Sequence, residues 1–73
     1  MYFMYLYIWF TDGRIEKHRV KRFYDASQTK SKFYYYEEPN DEKGKGKAFL
    51  RDSIHCFEVS PWELPDWEKE LNG

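Results

Sequence analysis

The sequence predicts a mainly β fold: a small five-stranded antiparallel sheet, strongly curved or closed into a barrel, with a short C-terminal helical segment. Three observations carry this prediction. The first ten residues, MYFMYLYIWF, are apolar or aromatic and mostly of types that favour strands. Asp12-Gly13, a strong hairpin signal, follows at once. A second aromatic run, FYYY, occupies positions 33–36. The 73 residues predict one domain, with the sheet over 1–59 and a helical cap or tail over 60–73.

The first strand has two apolar faces, because side chains alternate along a strand. Met4, Leu6 and Ile8 belong to a face typical of a core. The opposite face is an aromatic stripe of Tyr5, Tyr7 and Trp9, preceded by Phe3. Both faces are core, or the stripe is exposed; the pattern leaves both open. The run is too short for a membrane-spanning helix, and its composition is not that of a signal peptide.

The second strand is expected to return antiparallel from Arg14 or Ile15 and to cover residues 14–24. Its apolar residues, Ile15, Val20 and Phe23, do not share one strand parity. A bulge near His18 or a polar edge strand explains this pattern better than a helix, because no helix cap precedes the segment.

The middle of the chain predicts three more strands. A polar loop at 25–32 leads to a strand at 33–36, and a long turn at 37–47 carries two glycines. Strands at 48–51 and 54–59 follow, separated by only two residues, which fits a tight turn or one 3-10 turn.

The tail predicts one or two short helical turns. Ser60 suits a helix N-cap, Pro61 the first helical position and Glu63 the capping-box position. Apolar tail residues are expected to cover an open end of the sheet: Trp62, Leu64, Trp67 and Leu71.

The order of these signals resembles the SH3-like and Sm-like small β-barrels. The matching pieces are an Asp-Gly hairpin at 8–14, a basic strand at 20–25, the aromatic strand at 33–36 and the strand pair at 48–59. The chain also looks like short uncharacterised proteins of bacteriophages and mobile elements. That likeness implies an inhibitor or accessory factor that occludes a host or defence protein.

Charge and cysteine content narrow the function classes. The net charge is −1, but residues 13–36 carry seven basic and two acidic residues, whereas residues 37–73 carry five basic and ten acidic ones. Cys56 is the only cysteine, which suits a reducing cytoplasm. With His18 and His55 it makes too few ligands for a structural zinc site, so no metal and no cofactor are expected. No nucleophile–base–orienter set is visible, so we expect no enzymatic activity.

Two binding surfaces are candidates. The first is a basic band that could hold single-stranded nucleic acid beside the aromatic strand, or form only a solvated basic edge. Its members are Arg14, Lys17, Arg19, Lys21, Arg22, Lys30 and Lys32.

The second candidate surface is aromatic, and Tyr, Trp and Phe are enriched at the centres of protein interfaces. Its predicted residues are Tyr5, Tyr7, Trp9, Tyr34, Tyr36, Trp62 and Trp67. The alternative is that these rings pack only inside the molecule. Protein binding or self-association is the preferred function. Nucleic-acid binding and a homo-oligomer holding a small nucleotide are the alternatives, and no membrane partner is expected.

Overall fold

The computed structural model describes residues 3–26 and 29–65, and these form two three-stranded antiparallel sheets. The first sheet has the order β2-β1-β6, and the second has the order β3-β4-β5. The strands are β1 (Met4–Phe10), β2 (Ile15–Val20), β3 (Arg22–Tyr24), β4 (Phe33–Glu37), β5 (Lys47–Leu50) and β6 (Ile54–Ser60). The mainly β prediction is confirmed, but neither a single five-stranded curved sheet nor a closed barrel is shown.

β1 is the central strand of the first sheet, which explains why both of its faces are apolar. Leu6 and Ile8 point toward the second sheet and are fully buried together with Val20 of β2. β6 returns alongside β1, with Ile8 opposite Phe57, and the register shifts between Trp9 and Phe10. The chain therefore brings two distant segments together around its most apolar stretch.

The hairpin between β1 and β2 forms where Asp12-Gly13 predicted it, but its loop is longer than a two-residue hairpin turn. The Phe10 N–H donates to the Arg14 carbonyl at 2.9 Å, so the loop has three residues, 11–13, rather than two. Gly13 has φ +94°, a backbone conformation that glycine adopts without a steric penalty. Asp12 Oδ1 accepts the Arg14 N–H at 3.0 Å and fixes the turn.

The segment 14–24 is divided between the two sheets, and this corrects the predicted bulge near His18. β2 pairs regularly with β1 from Met4↔Val20 to Trp9↔Ile15. Lys21 separates β2 from β3, and its N–H donates to the Glu37 carbonyl of the second sheet at 2.8 Å. The change of sheet between Val20 and Phe23 explains why these two residues differ in parity, whereas Ile15, opposite Trp9, lies on the other face of β2 from Val20.

The space between the sheets is filled by aliphatic and aromatic side chains of the first sheet and by rings of the second. Tyr34 stacks between Phe23, at 5.9 Å between ring centroids, and Phe49, at 5.2 Å. Phe57 of β6 closes on Phe23 and on Tyr34 at 5.0 Å each. The contacts of Phe57 therefore join the first sheet to the second.

The C-terminal helical prediction is not shown. Ser60 is the last residue of β6 rather than a helix cap; its Oγ donates to the Trp62 carbonyl at 2.7 Å and accepts the Trp62 N–H at 3.2 Å. Residues 61–65 contain two bend residues and one turn residue and no helix. The rest of the predicted helical segment, including Trp67 and Leu71, lies outside the described residues. The predicted 3-10 turn between the last two strands is present at Arg51–Ser53.

Candidate functional site

The aromatic stripe of β1 is largely covered by the tail. Tyr7 is fully buried, Trp9 is buried and Tyr5 is half-buried. The Tyr7 hydroxyl accepts the Leu64 N–H at 2.8 Å. Beside it, Lys17 Nζ donates to Glu63 at 3.0 Å, and this bond raises the pKa of Lys17. Tyr7 and Trp9, two predicted binding residues, are therefore removed from the surface.

Tyr34 and Tyr36, predicted on the same binding surface, also lie inside. Their rings point between the two sheets, and each is buried. The Tyr36 ring contacts Phe49 at 5.9 Å and His18 at 5.1 Å. Trp62 is the exception among the described members of the set, since 68% of its surface is exposed.

Three of the four large apolar side chains that are exposed among the described residues lie on one surface, which sequence reasoning missed. It is the side of the second sheet that faces away from the core, and we call it the apolar platform. Tyr24, Phe33 and Leu50 are 52%, 53% and 49% exposed there. Strand register places Phe33 opposite Leu50 and Tyr35 opposite both Tyr24 and Ala48. The platform consists of Tyr24, Phe33, Tyr35, Ala48 and Leu50.

A buried carboxylate lies beside the platform. Glu37 is almost completely buried, and its Oε2 accepts the Gly44 N–H at 2.9 Å and the Tyr35 hydroxyl at 3.1 Å. Arg22 Nε lies 3.2 Å from Glu37 Oε1. The Gly44 N–H, then Tyr35 and Arg22, outweigh the opposing effect of burial and lower the pKa of Glu37. The charged Glu37 thus ties Tyr35 to the 38–46 loop.

Gly46 adds a direct hydrogen bond between the loop and Tyr35 of the platform. Its N–H donates to the Tyr35 hydroxyl at 2.7 Å. A Cβ at this position would lie 2.1 Å from the Tyr36 carbonyl oxygen, so a side chain does not fit without a backbone shift. The loop therefore approaches β4 closely enough to require glycine.

Much of the predicted basic band is engaged by the protein itself. Arg14 pairs with Asp12 at 2.8 Å, and the Arg19 guanidinium lies 5.6 Å from the Phe3 ring centroid. Lys21 donates to the Asp41 carbonyl. Together with the Lys17 and Arg22 pairs described above, these contacts leave Lys30 and Lys32 as the band members whose side chains have no hydrogen bond, ion pair or ring contact in residues 3–26 and 29–65. The band is not a continuous free cationic surface.

The His and Cys residues do not form a catalytic pair. His18 lies opposite Leu6, and its ring packs against Tyr36 between the sheets, with Nε2 2.9 Å from Glu16. Cys56 lies opposite Trp9, on the other side of the first sheet, and burial raises the pKa of its thiol. Within the described segments we find no cluster of metal-ligating side chains and no helix of the length and hydropathy that crossing a membrane requires.

A shallow groove of about 390 Å³ runs along β2 beside the tail. It is lined by Tyr5, Lys17, His18, Arg19, Glu38 and Glu63. Its lining mixes both signs of charge, and the Lys17–Glu63 ion pair spans part of it. The groove therefore offers no unbalanced charge to select a ligand.

Comparisons with protein-family models, curated proteins and solved structures found no match for this chain. The resemblance to small β-barrels stays a prediction.

Proposed function

We propose that this chain is a non-catalytic binding protein that acts by protein–protein interaction through the apolar platform. The supporting observation is that three large apolar side chains, Tyr24, Phe33 and Leu50, are each about half exposed on one sheet face. Contiguous apolar surface on a small soluble domain marks an interaction site. Aromatic residues at such a site supply large contact area with little loss of side-chain entropy.

We further propose an SH3-like or Sm-like arrangement for the two sheets. Its support is the chain path: β2 and β3 are consecutive and belong to different sheets, so one bent segment connects them. A 3-10 turn at Arg51–Ser53 then leads from the edge of the second sheet back to the first. This order of elements agrees with the resemblance in the sequence.

An inhibitor or accessory role in the cytoplasm is the biological setting that we propose. Such a role needs a compact scaffold and an exposed contact surface, and it needs no catalytic group. The unpaired Cys56 suits a reducing compartment. Phage origin would make this compartment the host cytoplasm.

Single-stranded nucleic acid is the weaker candidate. Exposed rings such as Tyr24 and Phe33 can stack on bases, but binding of this kind also needs cations for the phosphates. Arg14, Lys17 and Arg22 are already paired with carboxylates. Exposed aliphatic groups on the platform fit a protein partner better than a nucleic acid.

Site-specific photo-crosslinking tests the proposal. A photoreactive phenylalanine analogue would replace Phe33 in one variant and Trp62 in a control, each produced in the native host cells. We expect a discrete protein adduct from position 33 that disappears when Leu50→Ser is added, and no equivalent adduct from position 62. Adducts to nucleic acid, or no adduct from position 33, would contradict the proposal.

A further inference from the structure

We propose that the apolar platform and the free edge of β5 together bind an extended segment of a partner protein, one with apolar side chains flanked by carboxylates. This inference rests on the proposed function and specifies the chemistry of the partner. It follows from three properties of β5 and its surroundings: an open edge, an apolar face and uncompensated positive charge.

In the described part of the chain β5 is the last strand of the second sheet, so its outer edge is open. The Arg51 N–H donates to the Lys32 carbonyl at 2.9 Å. This bond shows which residue pairs of β4 and β5 are hydrogen-bonded to each other. In an antiparallel pair, hydrogen-bonded and non-hydrogen-bonded residue pairs alternate. Ala48 and Leu50 therefore direct their main-chain groups away from β4.

One of these outward groups is already occupied, and three remain. Ser53 Oγ donates to the Leu50 carbonyl at 2.7 Å. The N–H and carbonyl of Ala48 and the N–H of Leu50 lie along the edge, and no other strand of the described chain pairs with β5. An added strand would bond to these groups, which is how many extended peptides bind to sheet edges.

The side chains beside this edge suit an apolar ligand. Ala48 and Leu50 are both exposed and lie on the platform, next to Tyr35 and Phe33 across the strand pair. Because alternate residues of a strand share one face, every second side chain of an added strand would lie on the same side as the platform. The ligand therefore needs apolar residues at alternate positions.

The surrounding charge favours carboxylates in the ligand. Lys30 and Lys32 precede β4 at the end of the sheet where Phe33 meets Leu50. Both are exposed, and neither forms an ion pair with the described residues. Elsewhere on this sheet, Arg22 and Lys47 are paired with acidic side chains. Acidic flanks on a partner would compensate the two free lysines and help to orient the segment.

Amide NMR of the full chain tests this inference with two synthetic peptides. Both have alternating valine and threonine; one has glutamate pairs at its ends and the other has lysine pairs. We expect the glutamate peptide to shift the amide resonances of Ala48, Leu50 and Phe33 and to bind about fivefold more tightly than the lysine peptide. Lys30→Glu with Lys32→Glu should abolish this preference, whereas the matched change Lys43→Glu should retain it.

Leu50→Ser should remove peptide binding, while Trp62→Ser, at an exposed ring away from the platform, should not. The amide spectra of both variants report whether they remain folded. Equal affinity for the two peptides would overturn the charge argument. Unmoved β5 amides would overturn the edge argument, but the proposed function would still stand if crosslinks from position 33 persist.

Two other occupants are outcomes of the same experiments. A dimer in sedimentation that dissociates in the Leu50→Ser variant would assign the platform to a second copy of this chain. Shifts of the same amides with oligothymidylate would assign it to nucleic acid. Either result would overturn the inference.

Discussion

Replacing Tyr7 with phenylalanine tests one of the contacts that hold the tail against the first sheet. The Tyr7 hydroxyl is the acceptor for the Leu64 N–H at 2.8 Å, and the ring is fully buried. The substitution keeps the ring and removes only the oxygen. The Leu64 N–H then loses its partner at a half-buried position.

The expected loss follows from the value of one hydrogen bond. A typical intramolecular hydrogen bond contributes about 0.5–1.5 kcal/mol to the free energy of unfolding. For a domain of this size, each kcal/mol corresponds to a Tm change of roughly 4–8 °C. Tyr7→Phe should therefore lower Tm by about 2–12 °C and accelerate hydrogen exchange at the Leu64 amide.

Thermal unfolding by circular dichroism and amide exchange by NMR provide the two measurements. Tyr5→Phe is the matched control, because Tyr5 lies on the same strand face but is half-buried, and its hydroxyl has no hydrogen bond to the described residues. It should change Tm much less. An unchanged Tm and unchanged exchange at Leu64 in Tyr7→Phe would refute the conclusion that this bond holds the tail.

Three further predictions concern the interior and the buried carboxylate. Leu6→Ala, at a fully buried position, should lower the free energy of unfolding by about 2–5 kcal/mol, whereas Leu50→Ala on the platform should change it by about 0.5 kcal/mol or less. Urea titration measures both free energies. Similar losses in the two variants would contradict the assignment of Leu6 to the core and Leu50 to the exposed face. Gly46→Ala should cost about 1–3 kcal/mol in the same assay, because its Cβ would meet the Tyr36 carbonyl, and full stability would show that the loop can move away. Because the pKa of Glu37 is lowered in the folded protein, its charged carboxylate stabilises the fold at pH values above the ordinary pKa of 4.5. That stabilisation is lost as pH falls through the lowered pKa. Glu37→Gln should therefore flatten the acid limb of a stability–pH curve, and an unchanged acid limb would count against this role.

Local signals in the sequence were enough to predict several elements. The apolar run at the start predicted β1, Asp12-Gly13 predicted the hairpin, and the two-residue gap after position 51 predicted the 3-10 turn. Each of these signals acts over a few residues, so its outcome depends little on the rest of the chain.

Which side chains of a strand face the core could not be predicted in the same way. Phe33 and Tyr35 alternate with Tyr34 and Tyr36, and all four are aromatic, so hydropathy does not show which pair faces the core. The answer depends on Phe57 and Phe49, which pack against Tyr34 from distant parts of the chain. The change of sheet at Lys21 has the same origin, because it is stabilised by a bond to Glu37 and not by a local turn signal.

The pairing of β1 with β6 has a consequence for synthesis of the protein. β1 is synthesised before its partner β6, Ile54–Ser60, and β2 to β5 lie between them in the chain. Until then the nascent chain can form the hairpin with β2, but one side of its most apolar strand stays open. Contacts between such distant segments also slow folding. Newly made chains should therefore depend on chaperones, or aggregate, until β6 has been synthesised and can pair with β1.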